Sequence, residues 1–177
     1  MSSYQGNRRN LINYRLIDTP IGIIGIAYTD RGIAKIVLNC KNEDRFLKRV
    51  KADFCGFEFE KGGKNTLEAS KQIREYLSGK RKKFELPLDL IAATFAKKVY
   101  RAAIHIPYGK TKSYGEIASE IGSPKGARAV GFALKNNPIP IVIPCHRVIG
   151  SKGDLVGFAG GLSIKRKLLR LEAENMY

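Results

Sequence analysis

Apolar positions first gather in short runs separated by turn residues. Isoleucine and other strand-forming side chains crowd residues 11 to 18 (LINYRLID), 21 to 29 (IGIIGIAYT) and 32 to 39 (GIAKIVLN), and the breaks between them, Thr19-Pro20 and Asp30-Arg31-Gly32, are turn chemistry. A small antiparallel meander of three strands is expected. The period then lengthens to that of a helix: residues 43 to 52 carry Phe46, Leu47 and Val50 on one face, and residues 66 to 78 carry Leu67, Ile73 and Leu77, with Gly79 as the stop. The run Lys80-Arg81-Lys82-Lys83 and Pro87 mark a connector, beyond which residues 94 to 177 are patterned mostly as helix. The expected architecture is therefore α+β. Residues 1–90 form an N-terminal domain with a small antiparallel sheet, flanking helices and the connector, and residues 91–177 form a mostly helical C-terminal domain.

Helix punctuation in the second half is explicit. Ser113-Tyr114-Gly115-Glu116 matches a capping box and opens YGEIASEIG, and Gly122 ends that helix. Ser123-Pro124 is expected to supply the N-cap and first position of a second helix running to about Lys135. Two short helices around a tight glycine-bearing turn are the helix-turn-helix signature. In PKGARAVGFALK, Gly126, Ala127, Ala129 and Gly131 leave much of the surface nearly bare around Arg128. Such a face permits close approach, either of another helix or of nucleic acid; for the latter it suits the minor groove better than readout of base edges in the major groove.

Charge bears on that choice. The 177 residues include 32 Lys and Arg against 16 Asp and Glu, a net charge of +16, with 44% hydrophobic positions. This is a packed globular chain whose surface favours a polyanionic partner, unless its basicity is a general lysine-rich surface. No uninterrupted apolar stretch is long enough to span a membrane, and MSSYQGNRRN has no apolar leader segment, so a soluble intracellular protein is expected, cytoplasmic in a prokaryote or nuclear in a eukaryote. Cys40, Cys55 and Cys145 with His105 and His146 lack metal-ligand spacing, and no structural zinc is expected. Cys40 and Cys55 are read as small buried apolar side chains or, alternatively, as a disulfide. His105 is expected to end a helix.

The chemistry concentrates in the tract from Asn136 to Val148, an apolar run with prolines at 138, 140 and 144 that is expected to be extended and ends in Cys145-His146-Arg147. A thiol attacks as thiolate, and a nearby imidazole or cation favours that form. In an extended segment successive side chains point apart, so His146 is expected to act on Cys145 through a water. The alternative is a cysteine buried in a strand beside a satisfied core histidine.

Pro144-Cys145-His146-Arg147-Val148, preceded by Asn137-Pro138-Ile139-Pro140 and followed by Gly157-Phe158-Ala159-Gly160-Gly161 and a helix bearing Glu172, resembles the O6-alkylguanine-DNA alkyltransferases. The resemblance is close from Phe95 to Glu174 and looser over the first ninety residues. It implies that Cys145 accepts an alkyl group once and irreversibly from a guanine flipped out of duplex DNA, with His146 passing a proton through water and Glu172 orienting the imidazole. Asn137 would brace the active-site segment. Tyr114 would donate a proton to the departing base, and Arg128 would enter the duplex in place of the flipped nucleotide. Ala127, Gly131 and Ser113 would lie against the DNA, with Pro140, Val148, Phe158 and Ala159 lining the pocket. The resemblance implies no cofactor and action as a monomer on DNA. Two positions depart from the pattern: some members carry serine at 159 and many carry tyrosine at 158, so two hydroxyls are lost here.

Two other readings compete: a lesion-binding protein on the same scaffold that does not transfer the group, and a helix-turn-helix transcription regulator with an incidental cysteine. A thiol hydrolase lacks a second histidine in a suitable context. The alkyl-transfer reading requires that the sulfur be reachable by an extruded base.

Overall fold

The computed structural model describes residues 10–176; residues 1–9 and 177, and with them most of the segment read for a leader, lie outside the described residues. Strands β1 (Leu11–Ile17), β2 (Ile24–Tyr28) and β3 (Ile33–Val37) form the expected antiparallel meander. Helix α1 (Glu43–Asp53) follows, opened by Asn42, whose side chain accepts from the Arg45 amide at 3.0 Å. A further strand, β4 (Glu58–Lys61), then adds parallel to β1 with Leu11 opposite Glu58, so the sheet is mixed, in the order β3-β2-β1-β4. Helix α2 (Lys64–Leu77) completes this half.

Both faces of the sheet are covered, which explains its near-continuous apolar runs. Ile12, Tyr14, Ala27 and Val37 pack under α1 through Phe46 and Val50. Gly25 makes that approach possible, because a Cβ there would lie 2.2 Å from the Phe46 ring. The other face, with Ile24, Ile26, Tyr28 and Ile36, joins Ala69, Ile73, Tyr76 and Leu77 of α2 and the apolar residues of the C-terminal half in one core. Leu67, expected on the buried face of α2, is instead exposed.

The connector is docked. The Ile33 amide donates to the Pro87 carbonyl and the Asp89 amide to the Ile33 carbonyl, both at 2.9 Å, along the free side of β3. Buried Asp89 accepts from the Thr29 hydroxyl at 2.7 Å and from Arg31 at 3.0 Å.

The second half comprises α3 (Thr94–Ile104), β5 (Lys112–Ser113), α4 (Tyr114–Glu120), α5 (Ala127–Lys135), β6 (Val148–Ile149) and α6 (Leu162–Glu174), with β5 and β6 paired in parallel. His105 caps α3, as expected. The capping box is formed: the Glu116 amide donates to Ser113 Oγ at 3.1 Å, and the Ser113 amide donates to Glu116 Oε2 at 2.6 Å. Ser123-Pro124 does not open α5. The Gly126 amide closes a turn onto the Ser123 carbonyl at 2.7 Å, with Pro124 at a central turn position that its fixed φ favours, and α5 starts three residues later, at Ala127. Among the described residues, no helix is long and apolar enough to cross a membrane.

Candidate active site

The tract after α5 is folded rather than extended. Its prolines at 138, 140 and 144 lack amide donors, so it cannot pair as a continuous strand. Asn137 supplies the missing bonds: its Oδ1 accepts from the Ile139 amide at 2.9 Å and its Nδ2 donates to the Ile143 carbonyl at 3.0 Å. The Ile143 amide closes a turn onto the Ile139 carbonyl at 2.9 Å, with Ile141 at φ 76°. Cys145–Arg147 then makes one 3-10 turn leading into β6. The extended backbone read for Cys145 and His146 is thus corrected.

Asn137 Nδ2 also lies 3.1 Å from Cys145 Sγ. The cysteine is only 4% exposed, and burial pushes its thiol up to about 11, against the opposing influence of the Asn137 amide, the Lys165 charge and backbone amides. At rest the group is a thiol. A groove of about 1430 Å³ between α1 and the turn after α5 is lined by Asn137, Pro140 and Ala159, but Cys145 does not line it. The link between them is Asn137, which lines the groove and whose amide meets the covered sulfur.

Below the cysteine is a fully buried polar cluster. His146 Nε2 lies 2.8 Å from Glu172 Oε1 and 3.1 Å from the Tyr76 hydroxyl, and Tyr76 donates to Glu172 Oε1 at 2.5 Å. Arg147 donates to Glu172 through Nε at 3.1 and 3.0 Å and through Nη2 at 3.0 Å, and reaches the Ile106 carbonyl at 2.7 Å through Nη1. The Gly109 amide donates to Glu172 Oε2 at 3.0 Å. Burial alone would raise the Glu172 carboxyl, but hydrogen bonds from His146 and Arg147 and the Arg147 charge outweigh it and bring it to about 2. Burial lowers His146, against the pull of Glu172, so the ring is neutral. With its Nε2–H given to the carboxylate, the ring leaves Nδ1 as a lone pair, and that atom is buried without a partner.

A second support lies on α6. Buried Lys165 donates to the Val148 carbonyl at 2.6 Å and the Val156 carbonyl at 2.9 Å; burial lowers its ammonium to about 8, opposed by the nearby Cys145. Tyr114, at the start of α4, donates to the same Val156 carbonyl at 2.8 Å, and its phenol is raised by burial and then by Cys145. Val156 belongs to the irregular segment 150–161, most of it exposed. Partly buried Phe158 meets the His146 ring edge-on at a centroid distance of 6.5 Å, Ala159 is exposed, and Pro140 and Val148 are buried.

On the outer side, Arg128 is exposed on α5, Ala127 and Ser113 are partly buried, and a Cβ at Gly131 would touch the Tyr114 ring at 3.7 Å, so Gly131 faces α4. All three cysteines are free; Cys40 is buried and Cys55 exposed, which corrects both the disulfide alternative and the reading of Cys55 as buried.

Sequence reasoning missed three members of the site. Arg147 stands in the quoted motif, but no role was read for it; Lys165 is hidden in a basic helix; Tyr76 lies 70 residues from His146, in the other half of the chain. Its only signal is a hydroxyl-bearing ring at a buried position of α2.

The family model described as "6-O-methylguanine DNA methyltransferase, DNA binding domain" matches residues 94–174, and that of the "ribonuclease-like domain" of the same family matches residues 12–90. A "methylated-DNA–protein-cysteine methyltransferase" of Methanosarcina barkeri is 44% identical over 163 residues, covering 92% of this chain and 98% of that protein. One of the same name from Mycobacterium tuberculosis is 40% identical over 162 residues, covering 92% and 93%. The crystal structure of Mycobacterium tuberculosis OGT in complex with DNA superposes with a TM-score of 0.79 at 37% identity, covering 92% of this chain and 94% of that one. The chain belongs to the 6-O-methylguanine DNA methyltransferase family.

Proposed function

We propose that the chain repairs DNA directly, moving an alkyl group from guanine O6 onto Cys145 in a single turnover. The observation that carries this reading is the placement of the Cys145 sulfur against the Asn137 amide, beside a neutral His146 whose Nδ1 lone pair is unclaimed. In this scheme a water relays the thiol proton to Nδ1, and the imidazolium that forms is stabilised by Glu172. Asn137 and Lys165 favour the thiolate. The sulfur attacks the alkyl carbon, the C–S bond forms as the C–O6 bond breaks, and the electron pair passes into the guanine ring. Tyr114 protonates the departing base, having released the Val156 carbonyl, and the loosening of segment 150–161 that follows gives the base its path to the covered sulfur. The product is a thioether, and each molecule reacts once.

Duplex DNA is the partner, held by α4 and α5 with Arg128 filling the space of the flipped nucleotide; flipping costs a few kcal/mol, least for a poorly paired lesion. Residues 91–177 carry this chemistry and residues 1–90 support it, and the protein acts as a monomer wherever cellular DNA lies, the cytoplasm of a prokaryote or the nucleus of a eukaryote. Incubation with a duplex containing O6-methylguanine, followed by mass spectrometry of the peptide bearing Cys145, tests the reading. A gain of one methyl group in place of the thiol proton is expected. An unmodified peptide after complete binding would favour a lesion-binding protein instead.

A further inference from the structure

Helix α5 is not bare throughout. With 3.6 residues per turn, positions 128, 132 and 135 fall within an arc of roughly 60°, and Arg128, Phe132 and Lys135 are all exposed. Phe132 is 72% exposed, the sole aromatic ring among the large exposed hydrophobic side chains of the described residues. The opposite face of the helix is committed: Val130, Ala133 and Leu134 are buried, and the carbonyls of Ala133 and Asn136 accept from the Tyr100 hydroxyl at 2.9 and 3.2 Å. Phe132 therefore has no route into the core. Neither Arg128 nor Lys135 makes an ion pair among the described residues.

A single exposed apolar side chain is common on protein surfaces. Here it stands between two unpaired cations on one stripe, with small Ala129 beside it, in a chain of net charge +16. Cations interleaved with an aromatic ring suit a ligand that offers phosphates and, between them, apolar sugar and base surfaces. We propose that Arg128, Phe132 and Lys135 form one duplex-contact stripe, in which Phe132 packs as an apolar wedge against the sugars and base edges of the minor groove and Lys135 binds a backbone phosphate. This extends the DNA-binding reading given above, to which the contribution of Phe132 and Lys135 is new. It also gives this chain an attraction to undamaged duplex that does not depend on a lesion.

The chain contains no tryptophan, so Phe132→Trp in the full-length protein installs a single fluorophore at the proposed contact. Titration with lesion-free duplex should quench its emission, reaching a plateau at the concentration where a fluorescently labelled copy of the duplex saturates by anisotropy. Phe132→Ala should weaken binding of that duplex about tenfold, and Lys135→Ala should lower the slope of log affinity against log salt by about one. Emission unchanged at saturating duplex, or a Phe132→Ala affinity within about twofold of the unsubstituted protein, overturns the proposal. The tryptophan variant keeps a large ring at 132 and tests the contact even if alanine disturbs α5. These readouts use undamaged DNA, so a failure of alkyl transfer at Cys145 would leave them standing, and their failure would leave the transfer reading intact.

Discussion

Beneath Cys145, three charged side chains, Arg147, Lys165 and Glu172, are buried and each is bonded to protein partners, whereas on the outer face of α5 those of Arg128 and Lys135 are exposed and form no hydrogen bond or ion pair among the described residues. The difference follows from the solvent. A charge taken out of water survives only with its hydrogen bonds satisfied, and Glu172 meets that demand with donors from His146, Arg147, Tyr76 and the Gly109 amide. On α5 water satisfies the cations at little cost and leaves them free for phosphates. Within this cluster His146 Nδ1 is left without a partner, and it lies on the histidine next to the proposed nucleophile. Rigidity surrounds the atom proposed to accept a proton, and free charge lies on the face proposed to meet the duplex.

The sharpest way to break this comparison is Cys145→Ala. Transfer should vanish completely while duplex affinity stays within about twofold, since the side chain is covered and contributes nothing to the outer face; residual transfer, read by mass spectrometry and by loss of the lesion, would defeat the assignment. Glu172→Gln comes next, because it leaves Arg147 buried opposite a neutral amide. Loss of about 3 kcal/mol of stability is expected, measured by denaturant unfolding. Its pH signature has a definite sign. The folded carboxyl is lowered to about 2 from 4.5, so the unfolded chain binds more protons between those values; the contribution of Glu172 is fully present above 4.5 and is lost as pH falls toward 2. The stability of the unsubstituted protein should therefore fall more steeply across that window than that of Glu172→Gln. Equal slopes would mean the carboxyl is not held as the geometry indicates.

Much of this division was legible in the residues. The strands β1, β2 and β3 and the helices α1 and α2 announce themselves by period, the capping box by its serine and glutamate, and Cys145, His146 and Glu172 by a specific motif. Strand β4 was not legible, because Glu58-Phe59-Glu60-Lys61 has one apolar side chain and lies on a sheet edge, where charge guards against further pairing. The turn around Cys145 was misread as extended because its conformation is set by Asn137, a side chain whose bonds to the chain after it leave no periodic trace. Tyr76 and Lys165 escaped for a related reason. Local pattern reports which face a residue occupies, not which polar atom it will meet across the core.

Arg128→Ala tests the exposed side. Removing an exposed, unpaired guanidinium should change stability by less than about 0.5 kcal/mol and weaken duplex binding by about tenfold, with transfer falling in proportion. If stability fell instead, Arg128 would belong with the buried cluster rather than opposite it.

Tyr76→Phe is the smallest change and bears most directly on how the two halves of the chain cooperate. It deletes one oxygen, whose proton goes to Glu172 Oε1 and which lies 3.1 Å from His146 Nε2. Glu172 keeps Arg147 and the Gly109 amide, so the cost should be about 1 kcal/mol rather than the larger loss expected of Glu172→Gln. A purely structural hydroxyl would lower stability and leave the reaction rate of the folded protein unchanged. A positioning hydroxyl would also shift the pH dependence of transfer, because the imidazole would lose a neighbour that fixes its orientation toward the carboxylate. Single-turnover rates across pH at a temperature where both proteins are fully folded separate the two. A shifted profile assigns the N-terminal half a part in the chemistry, and superimposable profiles confine the chemistry to the half that carries Cys145.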